Sequence, residues 1–150
     1  MAIRIAPLQP ADATDWRRLW TAYQTFYGVT LSEAVFDRTW QRLLDPAHGM
    51  YGALARRDGG PPVGLVHWLR QPTCWDVHDS CYLQDLYVDP ALRSGGVGGA
   101  LIAHVVADAA GFGAAHVRWL THETNAQARR LYDRVATRSG FVDYRIPIPR

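Results

Sequence analysis

Residues 88–99 read VDPALRSGGVGG, where a strand-like run gives way to a glycine cluster and then to an Ala-rich helical pattern. The preceding residues, Cys81 to Val88, are almost continuously apolar and predict a buried strand that Asp89-Pro90 ends. The following residues, Val97 to Ala110, predict a helix with an apolar face. Backbone N–H groups at a helix start lack partners within the helix and carry the positive end of its dipole. The junction therefore predicts an anion-binding site.

Three kinds of phosphate-binding loop produce glycine clusters of this sort. A Walker loop requires Gly-Lys-Ser/Thr, and all 16 basic residues of the chain are arginine. The dinucleotide-binding fingerprint G-x-G-x-x-G fails too, because counting from Gly96 and Gly98 its third glycine position is Leu101. The pattern that fits is Arg-x-x-Gly-x-Gly, in which Arg93 adds a bidentate phosphate donor. A glycine-rich turn without a ligand is the alternative.

Segments outside this junction predict alternating helices and strands. Residues 58–62, DGGPP, separate two strand-like runs and predict a hairpin. Thr30 with Glu33 three residues later has the form of a capping box that opens a helix, and Pro46 ends that helix. In chain order the predicted elements are a strand at Ile3 to Ala6, helices over 16–27 and 30–45, strands at Tyr51 to Arg56, Val63 to Leu69 and Cys81 to Val88, a helix at Val97 to Ala110, a strand at His116 to Leu120, a helix at Asn125 to Thr137 and a strand at Phe141 to Ile148.

This order of elements predicts the fold class. Helices that link strands in the second half imply parallel pairing, whereas the early hairpin implies antiparallel pairing. We therefore predict an α/β (α+β) protein with a mixed, mostly antiparallel central sheet and helices on both of its faces. The 150 residues suit one domain with its own core, and no linker interrupts them. We predict a single domain over residues 1–150.

Composition argues against several classes of protein. Sixteen basic and 14 acidic residues give a formal charge of +2, too mild to predict a nucleic-acid partner. Two cysteines, Cys74 and Cys81, are too few for a disulfide framework, and no signal sequence opens the chain. No apolar run reaches the ~20 residues that span a bilayer. We expect a cytoplasmic protein that binds neither a membrane nor, since its six histidines show no ligand spacing, a metal.

The sequence on both sides of the glycine cluster resembles the GNAT superfamily of N-acetyltransferases. YLQDLYVDP at residues 82–90 is similar to the strand before that superfamily's acetyl-CoA pyrophosphate loop, and residues 119–141 are similar to its C-terminal motif. With the N-terminal aromatic residues, the chain is similar to the branch of fungal histone and polyamine acetyltransferases. The resemblance implies a GNAT-like acyl-CoA acyltransferase fold, acetyl-CoA as cofactor, and a homodimer in which residues 144–147 pair across the interface. Ser94 departs from the glycine of many members, and we expect Gly95 to preserve the backbone path.

The resemblance also implies which residues contact the cofactor. The backbone of Leu86 to Val88 is implied to splay, so that its N–H groups pair with the pantetheine arm and polarise the thioester carbonyl. Asn125 is implied both to cap the last helix and to bind the pantetheine. The full implied set of cofactor-binding residues is Leu86, Tyr87, Val88, Arg93, Ser94, Gly95, Gly96, Val97, Gly98, Gly99, Asn125 and Arg129.

Acetyl transfer to an amine requires a proton acceptor for the amine and a proton donor for the departing thiolate. The resemblance implies Tyr132 as the general acid, and a core aromatic is the alternative for this residue. Asp85 is the first candidate base, because a carboxylate in an apolar strand needs a partner or a role. Asp85 could instead only hydrogen-bond a loop or an arginine. Glu123 is the second candidate, while Gln84 replaces the Glu of polyamine-branch relatives and cannot act as a base. A relay through water remains open.

Aromatic residues could wall an amine pocket, because aromatic rings attract ammonium groups and exclude water. A core position is equally open for Tyr23 and Tyr27, and it is favoured for Trp16 and Trp20. We predict an N-acetyltransferase that moves the acetyl group of acetyl-CoA directly to the primary amine of a small molecule, such as a polyamine or an amino acid. Acetylation of protein lysines or N-termini and non-catalytic acyl-CoA binding are the alternatives. The predicted substrate-binding residues are Tyr23, Phe26, Tyr27, Trp75, Tyr82, Gln84 and His122.

Overall fold

The structure is a computed structural model that describes residues 2–150. The described chain divides into two compact units, one ending at Leu120 and the other beginning at Thr121. None of the helices in residues 2–150 has both the length and the apolar character needed to cross a bilayer. The elements are β1 (Ile3–Pro7), α1 (Ala13–Phe26), α2 (Glu33–Leu44), β2 (Met50–Arg57), β3 (Pro62–Gln71), β4 (Ser80–Val88), α3 (Val97–Gly111), β5 (Val117–Arg118) and α4 (Ala126–Val135).

The first unit is built on a five-stranded sheet with the order β1-β2-β3-β4-β5. Each neighbouring pair is antiparallel except β4 and β5, which are parallel. The predicted hairpin joins β2 and β3, and its turn places Asp58 and Gly59 at φ angles of 52° and 72°. The mixed, mostly antiparallel sheet is thus confirmed.

Helices cover both faces of this sheet, as predicted. On one face, Leu54 of β2 and Leu65 of β3 join a core cluster with α1 and α2, in which Trp16 is 2% exposed. On the other face α3 lies close to β3 at Gly64. A Cβ at Gly64 would come within 3.1 Å of the Leu101 side chain of α3, so the absence of a side chain permits this close approach.

The start of α2 differs from the prediction. Ser32 is the N-cap, and its hydroxyl accepts a hydrogen bond from the backbone N–H of Val35. Thr30 lies outside the helix and Glu33 is its first residue, so the predicted capping box is wrong. Counted from Ser32, the third helical position holds Val35, which has no carboxylate to complete a box.

The second unit consists of α4 and an extended C-terminal segment. The predicted strand at Phe141 to Ile148 is wrong, because residues 136–150 contain no strand. A strand requires a neighbour to pair with, and this unit contains no other strand in the part of the chain that is described. The proline at 147 also lacks an N–H to donate. The segment leaves Phe141, Tyr144 and Ile146 about 90% exposed.

Candidate active site

The glycine loop, residues 89–99, which follow β4 and run into the start of α3, has the geometry of an anion-binding site. After β4, Asp89 Oδ1 accepts a hydrogen bond from the N–H of Ala91 at 3.0 Å and shapes a single turn of 3₁₀ helix. Gly96 takes a φ of 86° and is the N-cap of α3. The N–H of Ala100 bonds to the Gly96 carbonyl at 3.1 Å, so the N–H groups of residues 97–99 precede that bond. These N–H groups meet at the positive end of the helix.

Ser94 carries the left-handed turn of the loop. Its φ is 67°, a conformation that costs a non-glycine residue about 1–2 kcal/mol. Gly95 itself does not take a positive φ. That Gly95 preserves the backbone path of the loop despite Ser94 stays a prediction. A Cβ at Gly95 would come within 3.1 Å of the Leu92 carbonyl oxygen, so a side chain at this position would crowd the loop backbone.

In the part of the chain that the structure describes, one edge of β4 has no neighbouring strand beside this loop. β5 pairs only with Cys81 and Tyr82, whereas β3 follows β4 as far as Val88. The register against β3 skips Gln84, which forms a β-bulge. Beyond Tyr82, this edge of β4 can therefore offer backbone groups to a ligand. Contact of Leu86 to Val88 with a pantetheine arm needs such an edge and stays a prediction.

Asp85 belongs to a hydrogen-bonded network that crosses from β4 to α1. His67 Nδ1 lies 3.0 Å from Asp85 Oδ2, and the indole N–H of Trp16 donates to His67 Nε2 at 3.0 Å. An indole N–H can only donate, so Nε2 must be the acceptor and the ring proton must sit on Nδ1. His67 is thereby held as the neutral tautomer that donates to the Asp85 carboxylate. The partners of Asp85 therefore include this buried histidine.

Tyr23 lies beside this network. It also belongs to a set of contacting aromatic rings, here called the aromatic wall, made of Trp20, Tyr23, Phe26, Tyr27 and Tyr87. Burial, followed by the nearby charge of Asp85, raises the pKa of Tyr23 well above its usual range, so its hydroxyl stays protonated. That hydroxyl lies close to the Asp85 carboxylate and to Tyr27, since both contribute to the raised pKa. The Tyr23 ring lies 5.2 Å from Trp20, 5.0 Å from Tyr27 and 6.2 Å from Tyr87, measured between centroids.

Arg93 joins this wall to the glycine loop. Its Nε–H donates to the Val88 carbonyl at 3.2 Å, and its guanidinium carbon lies 5.3 Å from the Phe26 ring centroid and 6.0 Å from that of Tyr87. Phe26 is 53% exposed and Tyr27 is 46% exposed. The predicted anion site and these accessible aromatic rings are therefore contiguous in the first unit.

Three predicted substrate residues lie outside this cluster of aromatic contacts. Trp75 is 96% exposed in the loop before β4, and no aromatic ring among residues 2–150 packs against it. Tyr82 lies at the start of β4, where the guanidinium of Arg118 is 4.7 Å from its ring centroid. Gln84 is the exposed bulge residue. Their contact with substrate stays a prediction.

Comparison with known proteins decides the family. The sequence matches the profile described as "Acetyltransferase (GNAT) family" over residues 16–136. The chain belongs to this GNAT acetyltransferase family. It is 35% identical over 144 residues to the D-amino-acid N-acetyltransferase HPA3 of Saccharomyces cerevisiae, covering 95% of this chain and 89% of HPA3. The predicted resemblance to this superfamily and its fungal branch is thus confirmed, as is the prediction of an N-acetyltransferase.

Solved structures agree with this acetyltransferase fold. A ribosomal-protein-alanine N-acetyltransferase from Brucella melitensis superposes with a TM-score of 0.78 at 24% identity, covering 98% of this chain and 100% of that one. AAC(6')-Iy, in complex with a bisubstrate analogue containing CoA, also gives a TM-score of 0.78, at 18% identity and with 100% and 98% coverage. The predicted GNAT fold class is confirmed.

The remaining predicted site residues of this acetyltransferase belong to the second unit. Asn125 directly precedes α4, but its side chain accepts no hydrogen bond from the helix, so the predicted side-chain cap is wrong. Its amide nitrogen instead lies 3.4 Å from Thr121 Oγ1. Tyr132 is half-buried on α4. Its role as the general acid stays a prediction.

Polar contacts also order the loop before α4. Arg129 Nη1 donates to the backbone carbonyl of Glu123 at 2.6 Å, and the Glu123 side chain is exposed. His122 Nδ1 lies 2.6 Å from Thr124 Oγ1. Among residues 2–150, no group of three or more histidines, cysteines and carboxylates could hold a metal ion.

Two residues that lie at the candidate site of this enzyme, His67 and Arg57, were not predicted from the sequence. His67 is 4% exposed, and the available signal was a single imidazole within the apolar run of β3. Arg57 ends β2, and its guanidinium lies beside Gly95 of the glycine loop. No sequence motif connects Arg57 with that loop, so only the fold reveals their proximity.

Proposed function

We propose that this enzyme transfers the acetyl group of acetyl-CoA directly to the primary amine of a small molecule, such as an amino acid or a polyamine. The observation that carries this proposal is the position of Arg93, which bonds to Val88 beside the glycine loop and lies over the rings of Phe26 and Tyr87. An anion-binding loop thus adjoins aromatic rings suited to an ammonium group. The yeast relative's name, D-amino-acid N-acetyltransferase, also favours a small amine.

The residues present suit an acyl-CoA cofactor. The first N–H groups of α3 and the Arg93 guanidinium can donate hydrogen bonds to its phosphates. The unpaired edge of β4 can form backbone hydrogen bonds with the amide groups of its pantetheine arm. A CoA-containing analogue bound to the same fold in AAC(6')-Iy supports this assignment. When bound, the cofactor supplies the acetyl group as a thioester. The backbone at Leu86 to Val88 orients that thioester and polarises its carbonyl.

Asp85 is the group we propose to hold the incoming ammonium and take its proton. His67 and Tyr23 fix the carboxylate, while 15% of the Asp85 side chain remains exposed for a ligand. As the N–C bond forms and the C–S bond breaks, Tyr132 gives a proton to the departing thiolate and the nitrogen releases its second proton, which replaces the one that Tyr132 lost. The products are the amide, free CoA thiol and the one proton held by Asp85. Glu123 is the second candidate for the base.

We also propose a cytoplasmic homodimer that does not bind nucleic acid. Val142, Tyr144, Ile146 and Ile148 recur at every second position of the C-terminal segment, and each is at least 73% exposed. Such alternation is typical of a strand with one apolar face, which here lacks a neighbour within its own unit. Light scattering of the full chain tests the proposal, and a mass of one chain at all concentrations would contradict it.

The enzymatic proposal is tested by release of free CoA thiol from acetyl-CoA. The acceptor panel comprises amino acids of both configurations, polyamines and lysine-containing peptides. We expect turnover with one class of small amine and a fall in kcat of about 100-fold in Tyr132→Phe. Tyr51→Phe, a change on β2 at a tyrosine outside both the proposed site and the proposed dimer segment, is the matched control.

Each outcome of this assay separates the alternatives. Turnover with peptides alone would point to protein acetylation. Binding of acetyl-CoA without release above the hydrolytic background would indicate a non-catalytic module. Equal rates in wild type and Tyr132→Phe would exclude Tyr132 as the proton donor.

A further inference from the structure

Arg57 brings a guanidinium group to the glycine loop from a different part of the fold. A Cβ at Gly95 would lie 3.6 Å from Arg57 Nη1 and 4.0 Å from its Cζ. The paired position on β1 is Ile3, and its Cδ1 would lie 3.9 Å from a Cβ at Gly96. The ends of β1 and β2 thus border the loop, and Gly95 leaves the guanidinium uncovered because it has no side chain.

The charge of Arg57 is not neutralised by its neighbours. Among residues 2–150, no acidic side chain forms an ion pair with Arg57. The adjacent Arg56 is paired with Asp12 at 3.2 Å, and the Asp58 carboxylate accepts from the N–H of Ala2 at 2.8 Å. Arg57 therefore adds an uncompensated positive charge beside the helix N-terminus that the loop already presents.

We propose that Arg57 is a phosphate contact of the acyl-CoA cofactor, supplied by β2 from outside the Arg-x-x-Gly-x-Gly motif. This proposal rests on the proposed function. Arg93 already uses its Nε–H on the Val88 carbonyl. Among residues 2–150, no acceptor is found for the five N–H donors of the Arg57 guanidinium, which can therefore face phosphate oxygens. A guanidinium binds phosphate through two parallel hydrogen bonds. Both the pyrophosphate and the 3′-phosphate of CoA offer this chemistry.

Binding of CoA and of dephospho-CoA, which lacks the 3′-phosphate, tests the proposal by titration calorimetry. The variant is Arg57→Gln, and Arg4→Gln is the matched control. Arg4 is exposed and pairs in the sheet with Arg56, so its substitution removes the same charge from the adjoining strand. We expect Kd for CoA to rise roughly 10- to 100-fold in Arg57→Gln, and less than about threefold in Arg4→Gln.

The two ligands distinguish which phosphate is bound. An equal rise for both ligands places Arg57 on the pyrophosphate, and a rise for CoA alone places it on the 3′-phosphate. Unchanged affinity of Arg57→Gln for both ligands would overturn the proposal while leaving the proposed function intact. If the wild-type enzyme binds neither ligand, the proposed function itself fails. Circular dichroism of each variant verifies that the fold is retained.

Discussion

Replacing His67 with leucine removes the side chain that joins Trp16 to Asp85. The Trp16 ring is 2% exposed, so its N–H would lose its acceptor at a cost of about 1–3 kcal/mol. Asp85 would lose a hydrogen bond to its carboxylate. We take the cost of this loss as about 1.5 kcal/mol, because the Asp85 side chain is 15% exposed and still has the Tyr23 hydroxyl nearby. Leucine recovers about 1 kcal/mol through apolar burial. We expect the free energy of unfolding to fall by about 1.5–3.5 kcal/mol.

Urea denaturation followed by tryptophan fluorescence measures this change. His116→Leu is the matched control, since His116 is exposed and should alter stability by less than about 0.5 kcal/mol. A loss in His67→Leu below about 1 kcal/mol, or equal to that of the control, would refute the network. At temperatures where His67→Leu is folded, we also expect reduced kcat/KM, because Asp85 is less firmly held.

Three further predictions concern backbone strain, thiol reactivity and pH. Ser94→Gly should raise the free energy of unfolding by up to about 1 kcal/mol, because glycine takes the positive φ at position 94 without strain; thermal unfolding measures it. Burial raises the pKa of the Cys81 thiol to about 11, so in the folded enzyme at pH 8 we expect a thiol reagent to label exposed Cys74 and to reach Cys81 only after unfolding. The raised pKa of Tyr23 means that above pH of about 10 the unfolded chain ionises this tyrosine while the folded chain keeps its proton. Stability should therefore fall as pH rises past 10, and less steeply in Tyr23→Phe than in wild type, as measured by urea titrations at each pH.

The sequence predicted the elements whose signals are local. Apolar runs and the DGGPP turn located β2, β3 and β4 to within two residues, and the glycine cluster located the start of α3. The C-terminal segment has an equally clear alternation, from Val142 to Ile148, yet it forms no strand. A strand depends on a neighbouring edge as well as on its own pattern, and a single sequence carries no information about that neighbour.

The candidate site could be predicted only in part, because some of its contacts also depend on neighbouring strands that a single sequence does not specify. Asp85 stood out because a carboxylate interrupts an apolar strand, and Arg93 stood out through its motif. His67 gave the same kind of signal in β3, but its meaning depends on the register that sets it opposite Asp85. Arg57 gave no signal, since its proximity to Gly95 arises from the packing of β2 against the loop.

The bulge at Gln84 explains how Asp85 reaches the face of the sheet on which the aromatic wall lies. Leu83 is paired with Trp68, whose indole N–H donates to Asp108 of α3 at 2.8 Å, so these side chains lie on the α3 face of the sheet. In a regular strand, residues 83 and 85 would share that face. Asp85 is instead paired with His67 on the α1 face, because the extra residue at 84 shifts the alternation by one position. The same bulge therefore gives β4 a buried residue toward α3 and a carboxylate toward the aromatic wall. The proposed role of Asp85 therefore depends on this backbone irregularity as much as on the identity of the acid.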